Sequence, residues 1–257
     1  MIKRRTFIAG LGSVAAWPVA ARAQQPAMPV VGFLDAGSAA LSAVYSAFRQ
    51  GLAGAGYVEG SSVAIDARFA GGQLDQLSTL ATELVRRKVA VIFTFGSDAA
   101  QAAKHATTTI PIVFLIGNDP VQTGLVASLN RPGGNITGVT RLSREIQGKR
   151  LAMARDLLPN ASIIATFSNP VSVVSDINLR DLEVAAATIG QRLLVLRTSN
   201  DRELEAAFIS LVQQGAGALF INANPFFADR RDLIVALAGR HRIPTIFLVA
   251  REPLRAV

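Results

Sequence analysis

Short hydrophobic runs recur along the chain, separated by segments with a different periodicity. The runs are rich in β-branched residues and contain no regular polar alternation, a pattern typical of strands buried on both faces of a parallel sheet. Ser62–Phe69 does alternate, which favours a strand nearer a sheet edge. The continuous runs are Val30–Leu34, Val89–Phe95, Ile110–Ile116, Ile163–Phe167, Leu193–Leu196, Ala218–Ile221 and Ile243–Val249.

The intervening segments repeat their apolar residues every three or four positions, as amphipathic helices do. The first such segment places five apolar residues on one helical face: Leu41, Val44, Tyr45, Phe48 and Leu52. Similar faces recur between most of the later runs. Repeated alternation of strand and helix predicts an α/β fold with right-handed crossover connections.

One strand–helix–strand pattern appears in each half of the chain. Val91–Phe95 leads through a polar loop and a helical segment to a run that begins Ile110-Pro111. Ala218–Ile221 leads in the same way to a run that begins Ile243-Pro244. This echo favours two similar lobes over one large sheet.

The boundary between the lobes is predicted from turn-forming residues. The segment 131–135 reads Arg-Pro-Gly-Gly-Asn and is the densest turn cluster near the middle of the chain. We therefore assign residues 24–138 to the first lobe and residues 139–257 to the second. Ile136–Arg141 is the strand expected to cross between them.

The N-terminus has the features of an export signal. Lys3, Arg4 and Arg5 precede a modest apolar stretch, and Ala21-Arg22-Ala23 forms a small-residue cleavage site. These features predict a secretory signal peptide over residues 1–23 and a periplasmic protein. The Arg-Arg-x-Phe sequence favours the twin-arginine route, with an ordinary Sec signal as the alternative.

Composition excludes several functional classes. The 257 residues include no cysteine and two histidines, which excludes disulfides, Cys-ligated metals and thiol catalysis and leaves little for a metalloenzyme. The formal charge of +8 includes four basic residues within residues 1–23, which contain no acid, so the remaining chain carries +4. Because the other basic residues are scattered, no nucleic-acid partner is expected. No cofactor is expected either, since the G-x-G-x-x-A string at residues 10–15 lies within the predicted signal peptide.

Candidate binding residues follow the predicted strands. In open parallel sheets, ligands bind beyond the carboxyl ends of the strands. The residues found there are small, hydroxylated or amide-bearing, with a few carboxylates, and they suit a small polar ligand. Asp35 is a second candidate beside Asp119 for binding an ammonium group, and Phe226 and Phe227 could flank an apolar ligand side chain. The six selected residues are Ser38, Ser97, Asp119, Thr140, Asn169 and Asn222.

Each of these residues also has a purely structural interpretation. Ser, Asn and Asp are favoured as helix N-caps and in turns, whatever else they do. The case for a binding cleft depends on their convergence from both lobes at the same sheet edges. No catalytic motif accompanies them, so binding without chemistry is expected.

Several segments resemble the ABC-transporter substrate-binding proteins of the tryptophan/tyrosine-binding type. The resemblance covers nearly all of the chain after the signal and is most specific between Asp119 and Thr140. It is carried by Val30–Leu34, Gly51–Gly60, Ile110–Phe114, Asp119–Val121, Gly124–Val126 and Arg131–Gly138.

The resemblance implies a type I periplasmic-binding-protein fold, in which two Rossmann-like lobes close on a solute. It also implies delivery of the solute to an ABC permease in the inner membrane. All six candidate residues match loops that line the family's cleft. Ser97-Asp98 stands where other members often have Thr-Pro, and Asn222 stands where many carry Asp.

Two alternatives and one departure accompany this interpretation. An effector-sensing domain of a transcription regulator would share the two lobes but needs an N-terminal helix-turn-helix where an export signal stands. A periplasmic enzyme would need a catalytic constellation. The chain stops soon after the Ile243–Val249 run, where family members return to the first lobe, so we expect an unpaired sheet edge and uncovered apolar surface in that lobe.

Overall fold

The computed structural model describes residues 28–141 and 146–247. The predicted signal peptide and the last ten residues lie outside these ranges. Within them the chain forms two separate β-sheets, each built only of parallel strands. Helices follow the strands along the chain, so the predicted α/β class is confirmed. None of the described helices is both long and apolar enough to cross a membrane.

The first sheet has five strands in the order β2-β1-β3-β4-β5. The alternating segment forms the edge strand β2, as its pattern predicts. The strands are β1 (Val30–Asp35), β2 (Ala64–Phe69), β3 (Val91–Phe95), β4 (Ile112–Ile116) and β5 (Ile136–Thr140).

The second sheet has four strands in the order β7-β6-β8-β9. The same order, with the first strand of the lobe flanked by the second and third, occurs in the first sheet. The strands are β6 (Ile163–Ser168), β7 (Arg192–Arg197), β8 (Ala218–Ile221) and β9 (Thr245–Phe247).

Eight α-helices connect or flank the strands in the described ranges. We call β1–β5 with α1–α3 the first lobe, and α4–α8 with β6–β9 the second lobe. The helices are α1 (Ala43–Gly54), α2 (Leu77–Arg86), α3 (Ser97–Ala106), α4 (Gln147–Leu157), α5 (Ser175–Thr188), α6 (Asp201–Gln213), α7 (Pro225–Asp229) and α8 (Arg231–His241). Single 3₁₀ turns precede α1 (Ala39–Leu41) and α2 (Leu74–Gln76).

The two lobes bury their sheets to different extents. In the second lobe, one cluster packs α6, α7 and α8 against the sheet and another packs α4 and α5 against it. In the first lobe, α2 and α3 bury the face that carries Ile92 and Ile112. The opposite face carries Phe93, which is half-buried against Phe48 of α1 at a ring distance of 4.8 Å. Helix α1 itself has no fully buried residue among those described.

Prolines explain why two strands begin later than predicted. Strands β4 and β9 start at Ile112 and Thr245, each directly after a proline (Pro111 and Pro244). Proline has no N–H to donate to a sheet ladder. The N–H of the preceding Ile110 instead donates to Thr107 Oγ1 at 3.1 Å, which ends the turn after α3.

The strand expected to cross between the lobes belongs wholly to the first sheet. Strand β5 pairs with β4 from Ile136 through Thr140, so the predicted crossing falls after Thr140. The boundary placed between residues 138 and 139 therefore lies inside β5. The assignment to the crossing was wrong because the hydrophobic pattern of β5 does not reveal which sheet it joins.

Candidate functional site

The carboxyl ends of the two sheets face each other across a cleft. Residues that follow strands of the first lobe form hydrogen bonds with residues that follow strands of the second. Three such contacts are visible. Asp98 contacts the loop after β6, Asn118 contacts α5, and Ser38 contacts Asp229 at the end of α7.

Asp98 forms the most extensive of these contacts. It lies in the first turn of α3, is 8% exposed and accepts two hydrogen bonds from the second lobe. Ser172 Oγ donates to Oδ2 at 3.0 Å, and the Val173 N–H donates to Oδ1 at 2.8 Å. Burial raises the pKa of Asp98, and these hydrogen bonds offset part of that increase.

Asn118 joins two of the predicted residues to the second lobe. Its Oδ1 accepts from Ser97 Oγ at 3.0 Å, and its backbone carbonyl accepts from Thr140 Oγ1 at 2.7 Å. Its Nδ2 donates across the cleft to Asn178 Oδ1 at 2.7 Å. Ser97 and Thr140 therefore help to hold Asn118 in the orientation that reaches the second lobe.

Two carboxylates approach each other at another point of the cleft. Asp35, at the end of β1, accepts from the Gly37 N–H and from Ser42 Oγ, both at 2.8 Å. Asp229, from the second lobe, accepts from the Ser38 N–H at 3.3 Å. The pKa of Asp35 is raised mainly by its burial and in smaller part by the negative charge of Asp229.

A cavity of about 510 Å³ opens between the lobes beside these carboxylates. Its volume falls within the range of about 300–1,000 Å³ that is usual for small-molecule sites. Both lobes contribute to its wall, and most of the contributing side chains are polar or charged. The lining residues are Gly72, Gln73, Leu74, Asp75, Asn169, Val171, Ser199, Asn200, Asp201, Arg202, Phe226 and Arg230.

The structure brings some of the predicted residues to this cleft with clear roles. Asn169 lines the cavity, is buried, and accepts from the Val171 N–H at 3.0 Å. Asn222, after β8, is half-buried and has a buried Oδ1 with no hydrogen-bond partner among the described residues. Ser38 reaches the second lobe through its backbone N–H.

Asp119 is engaged locally. Its Oδ1 accepts from the N–H groups of Val121 and Gln122, at 2.7 and 3.3 Å. This is the capping arrangement that its residue type favours in any turn. Its side chain thus stabilises the loop after β4, and the described contacts do not join it to the other five residues.

The expected role of the two phenylalanines needs correction. The side chains of Phe226 and Phe227 are buried in the core of the second lobe, where they pack against each other at 5.3 Å. Phe226 also lines the cavity, whereas Phe227 contacts Phe167 in the core. Apolar residues that open a short helix are drawn into the lobe's own core, which the loop pattern alone could not show.

Four residues of the cleft were absent from the predicted set: Gly72, Asp98, Asn118 and Arg230. Asp98 and Asn118 lie next to selected residues, in loops that were correctly placed at strand ends. Arg230 and Gly72 lie farther along their loops and gave no signal beyond their position. Among the described residues, no group of three His, Asp or Glu side chains is arranged to hold a metal ion.

The chain belongs to the family of ABC transporter substrate binding proteins, whose family model matches residues 28–251. The family predicted from the sequence is therefore confirmed. A protein named tyrosine-binding protein from Clostridioides difficile (strain R20291) is 30% identical over 200 residues. The match covers 77% of this chain and 57% of that protein, so the chain spans little more than half the length of this relative.

Solved structures show the same fold. A conserved domain protein from Vibrio cholerae has a TM-score of 0.79 at 24% identity, with 87% of this chain and 75% of that chain covered. A domain from Streptococcus pneumonia in complex with L-Trp has a TM-score of 0.76 at 21% identity, with the same coverage. The type I periplasmic-binding-protein fold predicted for the chain is confirmed by these neighbours.

Proposed function

We propose that the chain is the extracytoplasmic solute-binding component of an ABC importer and binds a small polar solute between its lobes. The observation that carries this proposal is the cavity at the carboxyl ends of both sheets, lined by residues of both lobes. The solute class, an amino acid or a similar compound, is supported by the names of the relatives that bind tyrosine and L-Trp.

The proposed binding set is the one selected from the sequence. Asn169 and Asn222 have the strongest support, because one lines the cavity and the other has a buried acceptor oxygen without a partner. Ser38, Ser97 and Thr140 lie at or beside contacts between the lobes. Asp119 completes the set, with a role in shaping its loop. We propose binding without turnover, followed by transient docking on an inner-membrane permease.

Calorimetry of the purified chain with the twenty L-amino acids, benzoate and neutral sugars tests the proposal. We expect saturable binding of at least one amino acid, and mass spectrometry of the ligand before and after incubation should show it unchanged. Chemical conversion of the ligand would contradict the non-enzymatic proposal. Failure of every solute to bind, with no small molecule co-purifying, would contradict solute binding itself.

Asn169→Asp tests the amide group that faces the cavity. The aspartate can still accept the Val171 N–H, so the local turn is retained while the Nδ2 donor is lost. We expect solute affinity to fall by about 1–3 kcal/mol, the usual cost of leaving a polar partner unpaired. Asn160→Asp makes the same chemical change at an exposed turn residue and should leave affinity unchanged. Equal affinities for the two variants would remove Asn169 from the site.

We further propose that residues 1–23 direct the chain to the periplasm by the twin-arginine route. Replacing Arg4 and Arg5 with lysine should then retain the precursor in the cytoplasm, since that route requires the arginine pair. Cell fractionation followed by immunoblotting measures the distribution. Undiminished export of the double variant would instead favour the Sec route.

A further inference from the structure

Arg230 is held rigidly at the cavity wall. Its guanidinium carbon lies 4.2 Å from the ring centre of Phe226, and its Nε donates to Asp201 in an ion pair. The side chain is only 20% exposed, and it lines the cavity. A guanidinium carries five N–H donors in a fixed plane, which matches the two oxygens of a carboxylate. Because Asp201 engages Nε, the geometry presents a pre-ordered anion-binding group to the cavity.

Asp229 presents the opposite charge at the same wall. Its Oδ1 accepts from Ser38 of the first lobe, but its Oδ2 is buried without a hydrogen-bond partner among the described residues. Leaving a buried acceptor unpaired is costly, and the cost is higher for a charged group. A cationic donor at Oδ2 would offset that cost.

Gly72 of the first lobe marks the point where these two charges meet. A Cβ atom built on Gly72 would lie 2.9 Å from Arg230 Nη1 and 3.3 Å from Asp229 Oδ2. The two groups therefore flank one point and are no more than about 6 Å apart, yet Asp229 Oδ2 does not accept a hydrogen bond from the guanidinium.

The remaining charges around the cavity are balanced. Asp75 and Asp201 contribute two carboxylates to the lining, and Arg202 and Arg230 contribute two guanidinium groups. A site with this composition suits a solute that carries both charges and has no net charge, because an ion of either sign would leave one partner uncompensated.

We propose that the solute is a zwitterionic α-amino acid whose carboxylate binds Arg230 and whose ammonium group binds Asp229. This assignment deepens the proposed solute-binding function and rests on it. An α-amino acid carries its ammonium and carboxylate groups on one carbon atom, so one solute molecule can reach both side chains. Neither residue belongs to the set predicted from the sequence.

The position of Asp35 links the ammonium group to lobe closure. Closure brings Asp229 of the second lobe towards Asp35 of the first, and two carboxylates repel each other in a cleft with little water. A bound ammonium group reduces that repulsion. We therefore expect solutes with an ammonium group to promote closure more than analogues that lack it.

The test pairs two variants with two ligand analogues. L-tyrosine, L-tryptophan and L-leucine are each compared with the corresponding amide and the corresponding des-amino acid. The wild-type chain should prefer at least one amino acid over both of its analogues by tenfold or more in calorimetry. Arg230→Gln should abolish the preference over the amide, and Asp229→Asn should abolish the preference over the des-amino acid. Arg231→Gln is the matched control, since the guanidinium of Arg231 lies over Phe247 at 5.0 Å.

The pattern of preferences separates recognition from a structural role. If Arg230→Gln weakens the acid and its amide equally, Arg230 supports the fold only, and the assignment is overturned. Arg230→Lys keeps the charge without the planar fork and should retain part of the preference, which provides a second reading if the glutamine variant does not fold. Binding of a neutral solute with no response to any amino acid overturns the assignment and leaves solute binding standing. Absence of any solute contradicts both proposals.

Discussion

Gly72→Ala is expected to weaken solute binding at least tenfold, whereas Gly71→Ala leaves it nearly unchanged. Both glycines have a positive φ, +77° and +57°, so alanine strains the backbone at either position. Only Gly72 touches the second lobe. An added Cβ would lie 3.0 Å from Phe226 Cα, a backbone atom of α7, and 2.9 Å from Arg230 Nη1. A Cβ at Gly71 would meet no atom within 4 Å.

The paired variants therefore separate backbone strain from obstruction of the cleft. Thermal denaturation should show similar losses for both, because the strain is common to them. Small-angle scattering should show a larger radius of gyration for Gly72→Ala than for Gly71→Ala, in the presence and absence of L-tyrosine. Indistinguishable radii would mean that the lobes do not close on Gly72.

Asp98→Ala has the second large expected effect. The alanine removes the acceptor for both Ser172 Oγ and the Val173 N–H, and it leaves these second-lobe donors without their partner in the closed form. Hydrogen bonds to a charged group contribute about 1.5–3 kcal/mol, so the population of the closed form should fall at least tenfold. Solute affinity should fall in proportion, because solute binds the closed form most tightly.

Asp98→Asn should act in the opposite direction. An asparagine can accept the Val173 N–H through Oδ1 and donate to Ser172 Oγ through Nδ2, so both contacts survive without a buried charge. The raised pKa of Asp98 in the closed form means that closure disfavours its ionised state. As the pH falls from neutral towards the raised pKa, the closed form takes up a proton more readily than the open form and becomes more stable.

Affinity titrations of the wild type and both Asp98 variants between pH 4 and pH 7 measure these effects. The wild type should bind more tightly as the pH falls, and the contribution of Asp98 should be missing from the Asn variant. If Asp98→Ala binds solute as tightly as the wild type at neutral pH, the contact between α3 and the second lobe has no part in closure.

The strands were largely predictable because burial on both faces imposes a continuous hydrophobic run. Val30–Asp35 and Ala218–Ile221 illustrate this, as both are buried almost throughout and were placed within a residue of their observed bounds. Strand starts were less predictable, since Pro111 and Pro244 delay the ladder although the apolar run begins before them. The sheet to which β5 belongs depends on pairing with β4, which one sequence does not encode visibly.

The cleft was predictable as a region, but its contacts were not. Strand order and the rule for parallel sheets place Asn169 and Asn222 at the correct edge. The capping preference of Asp119 was equally visible, and the structure shows that its Oδ1 serves the local turn. The partnership of Ser38 with Asp229 spans 191 residues, and no local pattern connects positions so far apart.

The contacts between the lobes also bear on how such a protein can change during evolution. Asp98, Ser172 and the Asn118–Asn178 pair join the lobes without lining the described cavity. Substitutions there change the balance between open and closed forms and so scale the affinity for every solute by one factor. Substitutions at Arg230 or Asn169 change which solute is preferred. Selection can therefore adjust the concentration range over which the protein responds separately from its choice of nutrient.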